Sequence, residues 1–344
     1  MERKRKILIT GGAGFIGYHL ARYLLSTSTA KLVLVDNLFR GRMDAELKTL
    51  LKNPRVTFLN LDLTDSRAYL RLGSQYDHVY HLAAVNGTGI FYDMPHEVMR
   101  INTATVLLFF EWFRKKNARG KILFTSSNEA YAGGLSSFGQ LPIPTPENVP
   151  LVIADTYNPR WTYAGTKMLG ELFLIHYAEQ YKFRGVIVLP HNFYGPRAGY
   201  NHVIPELSLR IAQRIDPFPI YGATDTRSFC YIEDAVRAMV LLMESPKTDA
   251  YLVETVHIGV DEETSIRDLA DALFAVAGWR PKKLDIHEAP KGSVARRRGN
   301  IQKIRNLVGW EREVPLEEGL GRTYAWYARN PNVVGKKEGT KIFV

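Results

Sequence analysis

A tyrosine and a lysine stand four positions apart in the segment WTYAGTKMLGE, residues 161–171. If this segment is helical, Tyr163 and Lys167 share one face of the helix. A phenol has a pKa of about 10 and is a weak base near neutral pH, but a neighbouring ammonium stabilises the phenolate. Tyr163 could then exchange a proton with an alcohol while a hydride leaves the same carbon. Such pairs also occur by chance on helices. The pair therefore indicates this chemistry only if the chain also binds a hydride acceptor.

A glycine-rich turn near the start of the chain predicts the site of that acceptor. In KILITGGAGFIGYHLARYLL, the apolar run 7–10 is followed by Gly11, Gly14 and Gly17 and then by helical periodicity. Glycines let the backbone approach a pyrophosphate, and the helix N-terminus offers free N–H groups. A second apolar run ends in Asp36, about 20 residues after the last motif glycine. Asp36 can bind the adenosine ribose and would repel a 2′-phosphate, so the sequence predicts NAD.

Arg40 and Arg42 follow Asp36 closely enough to receive a 2′-phosphate instead. The favoured interpretation of both is that they are solvated loop charges.

Composition limits the class of protein. The 344 residues are 46% hydrophobic and 23% charged, which suits one large α/β domain or two lobes. The net charge of +10 fits a nucleoside diphosphate as well as nucleic acid, and we expect no general nucleic-acid binding. Cys230 is the single cysteine, so no intramolecular disulfide can form. No apolar run approaches the 18 or so residues of a membrane span, and we expect a cytoplasmic protein without membrane association.

Strands and helices alternate through the first half of the chain. Strand-like runs at 7–10, 32–35, 56–59, 78–82, 121–125 and 185–189 alternate with helical stretches near 14–26, 65–72, 95–117 and 161–182. This order predicts an α/β fold with a Rossmann-type, doubly wound parallel sheet. After Pro190 the pattern is less regular, with helices near 203–213, 232–243 and 265–278 and short strands around 230 and 256–258. We therefore predict an NAD-binding domain (1–190), a smaller, mainly substrate-binding C-terminal lobe (191–330) and a tail (331–344).

Several further motifs occur along the chain at characteristic positions. They are GGAGFIG, NLDLTD, HLAA (81–84), Asn102, TSSNEAY (125–131), HNFYGPR (191–197), RSFCYIEDAV (227–236) and GW (309–310). With the Tyr163 and Lys167 pair, they resemble an extended short-chain dehydrogenase/reductase of the NAD-dependent nucleotide-sugar epimerase and dehydratase family, over about residues 5–328. The resemblance implies that NAD is held tightly while a sugar carbon, usually C4, is oxidised and reduced again. It also implies a nucleotide-diphosphate sugar as partner and a homodimer formed through helices 95–117 and 161–182.

The resemblance assigns roles to individual residues. In the family, a serine at the position of Ser127 shares the substrate hydroxyl with the tyrosine, the pair at Asp62 and Leu63 contacts the adenine, and Ala83 and Ala84 pass behind the dinucleotide. The complete expected cofactor set is Gly11, Gly14, Phe15, Ile16, Gly17, Asp36, Asn37, Asp62, Leu63, Leu82, Ala83, Ala84, Ser126, Tyr163, Lys167 and Pro190. The expected substrate contacts are Asn86, Gly87, Asn128, Asn192, Arg197, His202, Arg210, Arg227 and Arg298.

Two further residues bear on the reaction type. Once C4 is a ketone, the hydrogens on C3 and C5 become acidic, and a carboxylate such as Glu129 could remove one. Nucleotide-sugar 4,6-dehydratases and UDP-glucuronate decarboxylases resemble this chain in placing Glu there. The dTDP-glucose dehydratases place Asp where this chain has Asn128, whose amide cannot protonate a departing hydroxyl. The segment NHVIPELSLR is similar to GDP-fucose synthase, in which the histidine at the position of His202 is an acid and the arginine at that of Arg210 contacts the diphosphate.

The sequence therefore predicts an NAD-dependent nucleotide-sugar epimerase that works through a transient C4 ketone. Tyr163, Lys167 and Ser127 would handle the hydride step, and Glu129 and His202 would exchange protons at C5 or C3 from opposite lobes. The alternatives are a nucleotide-sugar 4,6-dehydratase, a plain UDP-hexose 4-epimerase, or a dinucleotide-binding regulator that has lost its chemistry.

Overall fold

The computed structural model describes residues 4–139, 141–199, 202–289 and 294–331. Its strands are β1 (Lys6–Thr10), β2 (Lys31–Asp36), β3 (Val56–Asn60), β4 (His78–His81), β5 (Lys121–Thr125), β6 (Arg184–Pro190), β7 (Phe193–Tyr194), β8 (Phe218–Tyr221), β9 (Thr226–Arg227), β10 (Cys230–Tyr231), β11 (Val253–Ile258), β12 (Thr264–Ser265), β13 (Leu284–His287) and β14 (Arg296–Arg297). Its helices are α1 (Phe15–Thr27), α2 (Ala45–Leu50), α3 (Ala68–Arg71), α4 (Thr88–Asp93), α5 (Pro95–Lys116), α6 (Gly133–Phe138), α7 (Trp161–Tyr181), α8 (Val203–Ala212), α9 (Ile232–Glu244), α10 (Ile266–Ala277), α11 (Gln302–Val308) and α12 (Leu316–Arg329). Short 3-10 turns lie at Asn128–Ala130 and Thr248–Ala250.

The central sheet has seven parallel strands in the order β11-β6-β5-β4-β1-β2-β3. Successive side chains of a strand point to opposite faces, and β1 follows this rule. Ile7 and Ile9 enter a core that includes Leu24 of α1 and Met239 of α9, whereas Leu8 enters one that includes Phe109 of α5. A parallel sheet covered by helices on both faces has nearly continuous apolar strands. The structure thus confirms the predicted doubly wound α/β fold.

The seventh strand comes from the second half of the chain. The predicted short strand at 256–258 is the end of β11, which begins at Val253 and pairs with β6 through Val256 and Val188. The remaining strands of this half form three small sheets, β7 with β10, β8 with β13, and β9 with β12 and β14. Residues after 190 therefore supply both an edge of the central sheet and the less regular lobe. The division into domains at residue 190 stays a prediction.

The helix predicted near 65–72 is shorter than expected. It is confined to α3, and before it the Asp62 carboxylate accepts hydrogen bonds from the backbone N–H and hydroxyl of Thr64 and forms a turn. The segment 86–91 turns sharply at Gly87 and then enters α4, a helix that was not predicted. Residues 332–344 of the expected C-terminal tail lie outside the described residues. None of the described helices is both long and apolar enough to cross a membrane.

Candidate active site

A cavity of about 1310 Å³ opens where strands β1, β2 and β4 end. Ligands bind at the carboxyl ends of the strands in such sheets. Twelve of the predicted cofactor contacts line this cavity: Gly11, Gly14, Phe15, Ile16, Gly17, Asp36, Asn37, Asp62, Leu63, Leu82, Ala83 and Ala84. It also reaches the predicted substrate contacts Asn86, Arg197 and His202.

The cavity suits a dinucleotide. A side chain at Gly17 would collide with the carbonyl of Gly11, so the turn can close tightly only around glycine. The turn leads directly into the N-terminus of α1, where free N–H groups favour a phosphate. Asp36 accepts from the backbone N–H groups of Ala13 (3.0 Å) and Leu38 (2.8 Å), which fix its carboxylate at the end of β2. Burial raises the pKa of Asp36, and these hydrogen bonds partly offset the effect.

The predicted hydride-transfer residues lie together. Tyr163 is in the first turn of α7, hydrogen-bonds with Ser127 and stacks on Phe91, with the ring centroids 5.0 Å apart. Lys167, one turn further, lies with its Nζ 5.6 Å from the centroid of the Tyr163 ring. The same Nζ donates to the Thr125 carbonyl at 2.7 Å and is thereby fixed to the end of β5. The structure thus brings Ser127, Tyr163 and Lys167 to one place.

The electrostatics of this pair differ from the expectation that Lys167 lowers the pKa of the phenol. Burial raises the pKa of Tyr163, and the charge of Glu129 raises it further, whereas the hydrogen bond to Ser127 and the charge of Arg40 lower it. Burial also lowers the pKa of Lys167, to about 8. Both shifts have one physical cause, because removing water disfavours the phenolate and the ammonium alike.

A buried carboxylate that the sequence analysis missed lies near Lys167. Glu171 continues the four-residue spacing from Tyr163 and Lys167 along α7, is only 7% exposed, and accepts a hydrogen bond from the Ser126 hydroxyl. Its charge raises the pKa of Lys167 against the effect of burial. Ser126 was predicted to contact the cofactor, and the structure uses its hydroxyl to hold Glu171. The repeated spacing was the available signal for Glu171.

This arrangement predicts a shift in the pH dependence of turnover. In Glu171→Gln the carboxylate no longer supports the ammonium, so the pKa of Lys167 should fall below about 8. Loss of the ammonium form would then begin at lower pH, and we expect the alkaline limb of the profile of kcat against pH to shift to lower pH by about one pH unit. Glu179→Gln is the control, because Glu179 lies on the same helix with 59% of its side chain exposed. An unmoved limb with uniformly lower kcat would instead make Glu171 a packing residue only.

Glu129 is held between two arginines. Arg160 donates to its Oε2 from Nη2 at 2.5 Å and from Nε at 3.1 Å, and Arg297 donates to its Oε1. All three side chains are less than a quarter exposed. Burial alone would raise the pKa of Glu129, but the charges of Arg297 and Arg160 outweigh burial and hold this pKa at about 2. Glu129 is therefore ionised near neutral pH and, with both arginines in place, is a weak base.

Neither arginine was among the predicted site residues. In the run of three arginines at 296–298, Arg298 was predicted to contact the substrate, and the structure places its guanidinium against the Asp261 carbonyl at 3.3 Å. Arg297 is the member of the run that reaches Glu129. The run of arginines was visible in the sequence, but which of them reaches Glu129 depends on how β14 pairs with β9.

The remaining predicted substrate contacts are dispersed over the lobe and the cleft. Arg227 pairs with Asp225 at 3.4 Å, Arg210 with Glu206 at 2.9 Å, and Arg197 with Asp44 at 2.8 Å. Asn128 is buried, Asn192 donates to the Ser228 carbonyl at 3.0 Å, and Pro190 ends β6. Exposed His202 lines the cofactor cavity at the start of α8, whereas Glu129 is not among the described residues that line it. The joint role of Glu129 and His202 stays a prediction.

Comparisons with known proteins give the class of this fold and site. A model of the NAD dependent epimerase/dehydratase family matches residues 7–259, and the chain belongs to this family. It is therefore an enzyme, and NAD is its cofactor.

Particular relatives span almost the whole chain. UDP-N-acetyl-alpha-D-glucosaminuronate decarboxylase of Bacillus cytotoxicus is 29% identical over 96% of this chain and 99% of the relative. The UDP-glucose 4-epimerase structure from Thermotoga maritima, with UDP-glucose, is 28% identical with a TM-score of 0.81 and covers 94% and 99% of the two chains. The UDP-glucuronic acid 4-epimerase structure from Bacillus cereus, with UDP-glucuronic acid and NAD, is 26% identical with a TM-score of 0.80 over the same shares. The relatives thus include epimerases and decarboxylases of nucleotide sugars.

Proposed function

We propose that the protein is an NAD-dependent nucleotide-sugar epimerase that works through a transient C4 ketone. The observation that carries the proposal is the meeting of Tyr163, Ser127 and Lys167. Tyr163 packs in one apolar cluster with Ile90 and Met94, which line the dinucleotide cleft. Tyr163 accepts the proton of the C4 hydroxyl while the C4 hydride passes to NAD, and Ser127 orients that hydroxyl. Return of the hydride to the other face of the ketone inverts C4.

Proton exchange at C5 or C3 is the second part of the proposal. A ketone at C4 acidifies both neighbouring carbons, and Glu129 and His202 are the groups proposed to exchange their protons. Because two arginines hold the pKa of Glu129 at about 2, this carboxylate becomes an effective base only if substrate binding displaces one of them. Inversion at C4 alone requires no such change.

Decarboxylation is the second candidate, and the arginines around Glu129 favour it. Arg160 and Arg297 both bind the carboxylate of Glu129. Guanidinium groups that already bind one carboxylate also suit the C6 carboxylate of a nucleotide-linked uronic acid. With a ketone at C4, the C5–C6 bond can break, because its electron pair is delocalised onto the ketone oxygen as carbon dioxide leaves, and C5 then takes a proton. Two of the three relatives described above act on uronic acids, by their names.

The 4,6-dehydratase alternative receives less support. It requires an acid for the departing C6 hydroxyl, and this chain has Asn128 beside Glu129, at the position where the dTDP-glucose dehydratases have Asp.

Nucleotide sugars incubated with the enzyme in deuterium oxide test these proposals. UDP-glucose, UDP-glucuronic acid, UDP-N-acetylglucosamine, GDP-mannose and dTDP-glucose are suitable, with products analysed by NMR and mass spectrometry. Inversion at C4 supports the main proposal, and deuterium at C5 or C3 of an intact sugar supports proton exchange. Loss of carbon dioxide would replace the main proposal with decarboxylation, and loss of water with dehydration. No turnover of any compound would contradict the proposal.

A homodimer is proposed from the outer faces of α5 and α7, which pack side by side. Met99 and Leu107 on α5 and Leu172 on α7 are each more than two-fifths exposed, and exposed apolar side chains on packed helices favour burial against a second copy. Light scattering should then give twice the mass of one chain; the mass of one chain would contradict the dimer.

The cytoplasmic location stays an expectation from the single cysteine, testable by cell fractionation.

A further inference from the structure

Two histidines meet at the carboxyl ends of neighbouring strands of the central sheet. His191 is the first residue after β6, and His257 lies in β11, which pairs with β6. Both side chains are fully buried, and His191 Nε2 is hydrogen-bonded to His257 Nδ1 at 2.7 Å. These two side chains are called the imidazole pair below. Neither was among the predicted site residues, and the proposed reaction does not use them.

Stability alone does not explain the imidazole pair. Buried polar groups normally have hydrogen-bond partners, but His191 Nδ1 has none among the described residues. A buried nitrogen without a partner costs stability, which an apolar side chain of similar size would avoid. Burial also lowers the pKa of both imidazoles, that of His257 to about 4, so the pair is neutral near pH 7. A neutral pair can lie near a guanidinium without repelling it.

The imidazole pair contacts the chain segment that carries Glu129. Tyr131 follows Glu129 by two residues, and its hydroxyl is hydrogen-bonded to His191 Nε2 at 3.3 Å. The Tyr131 ring lies edge-on to that of His257, with the ring centroids 5.6 Å apart. Tyr131 directly follows the 3-10 turn Asn128–Ala130, which contains Glu129. The imidazole pair therefore fixes the end of the turn that presents this carboxylate.

The imidazole pair also contacts the segment that carries Arg297. A methyl group built on Gly299 would collide with His191 Nε2 and lie 2.9 Å from His257 Nδ1, so the backbone here lies directly against both rings. Gly299 is not among the described residues with positive φ, so the imidazole pair, rather than the backbone conformation, excludes a side chain. Burial raises the pKa of Tyr131 and lowers that of His191, and the charge of Arg297 lowers both. The guanidinium therefore lies near these two side chains.

We propose that His191 and His257 are positioning residues that hold Arg297 against Glu129. The two charged residues are 168 positions apart, yet both of their chain segments contact the same imidazole nitrogen, His191 Nε2. A misplacement of about 1 Å in an active site can cost 10²-fold in rate. This inference rests on the proposed function, in which the cluster around Glu129 acts on the sugar.

Matched substitutions test this role through turnover. Glutamine at position 191 can place a polar atom near the site of the imidazole Nε2, whereas leucine cannot. We expect His191→Leu to lower kcat about 10- to 100-fold with unchanged NAD content, and His191→Gln to retain most of the activity. Gly299→Ala should also lower kcat, because its methyl group pushes this segment away from the imidazole pair. Gly321→Ala is the control, because a methyl group there meets no atom within 4 Å.

The titration of Glu129 tests the positioning without any substrate. Against the effect of burial, the charges of Arg297 and Arg160 hold the pKa of Glu129 at about 2, so displacement of Arg297 should raise this pKa. Carbon-13 NMR of the glutamate carboxylates follows it, with the signal assigned from the spectrum of Glu129→Gln. We expect the rise in His191→Leu and Gly299→Ala but not in His191→Gln. Far-UV circular dichroism and thermal unfolding verify that each variant folds.

The outcomes separate this inference from the proposed function. An unchanged titration of Glu129 in folded His191→Leu would overturn the inference. A raised pKa with unchanged kcat would overturn the part of the imidazole pair in the reaction. Equal losses in His191→Gln and His191→Leu would make His191 a packing residue only. If the proposed function itself were wrong, the unaltered protein would turn over no nucleotide sugar, whereas the titration of Glu129 would still respond to His191→Leu.

Discussion

Replacement of Tyr163 by phenylalanine is expected to lower kcat by about 10³-fold or more while NAD remains bound. The phenol is the group proposed to take the proton of the C4 hydroxyl, with its hydrogen bond to Ser127 to orient it for that transfer. Phenylalanine keeps the ring that stacks on Phe91 and removes only the hydroxyl, so stability should change little. Enzyme-bound NADH, formed in a single turnover with substrate and followed by absorbance, measures the loss directly.

Tyr177→Phe is the matched control for this experiment. Tyr177 lies on the same helix, and its hydroxyl donates to Glu111 at 2.9 Å, near the surface. Its removal should leave turnover unchanged. If Tyr163→Phe kept near-normal formation of NADH, another group would have to accept the proton, and the proposed hydride step would be wrong at its central residue.

The central sheet could be predicted because its signals are local. Each buried parallel strand is a short apolar run, and the turn before α1 carries its own glycines. The cleft residues follow from the same order, since most of them lie at or just after the ends of β1, β2, β3 and β4. The short helix α4 was missed because it begins within one residue of Gly87, and its segment carries the glycines of a loop.

The contacts that decide the chemistry depend on residues far apart in the chain. Glu129 and Arg297 are separated by 168 positions, and Arg160 is 31 positions from Glu129. No periodicity or short motif brings such residues together; the pairing of β14 with β9 does. Arg40, expected to be a solvated loop charge, lines the cleft beside distant positions. A methyl group built on Gly87 would lie 2.8 Å from its guanidinium, and one built on Gly199 would lie 3.3 Å from it. The raised pKa of Tyr163 has a similar origin, since burial is a property of the assembled fold.

Replacement of Arg297 by methionine is expected to lower both turnover and stability. Removing one preorganised charged donor from an active site costs about 10²- to 10³-fold in kcat. Breaking a buried ion pair from one side costs about 3 kcal/mol, because the remaining charge is left poorly compensated. Glu129 has its pKa lowered to about 2, so its ion pairs stabilise the fold above its usual pKa of about 4.3. This stabilisation is lost as the pH falls towards 2. The difference in unfolding free energy between the two proteins should therefore narrow below about pH 4.

A second substitution separates the structural role of this cluster from its catalytic role. Glu129→Gln together with Arg297→Met removes the uncompensated carboxylate, and the new amide can still accept from Arg160, so we expect stability to recover. Turnover should stay low, because the charges proposed to act on the reacting sugar are still missing. Arg296→Met is the control, since Arg296 is 54% exposed and pairs with Glu263, and loss of such an exposed pair should change the stability little. Chemical denaturation and kcat measured on the same preparations decide the matter. If the double variant regained turnover together with stability, Glu129 and Arg297 would only support the fold, and C4 inversion by Tyr163, Lys167 and Ser127 would remain as the complete reaction.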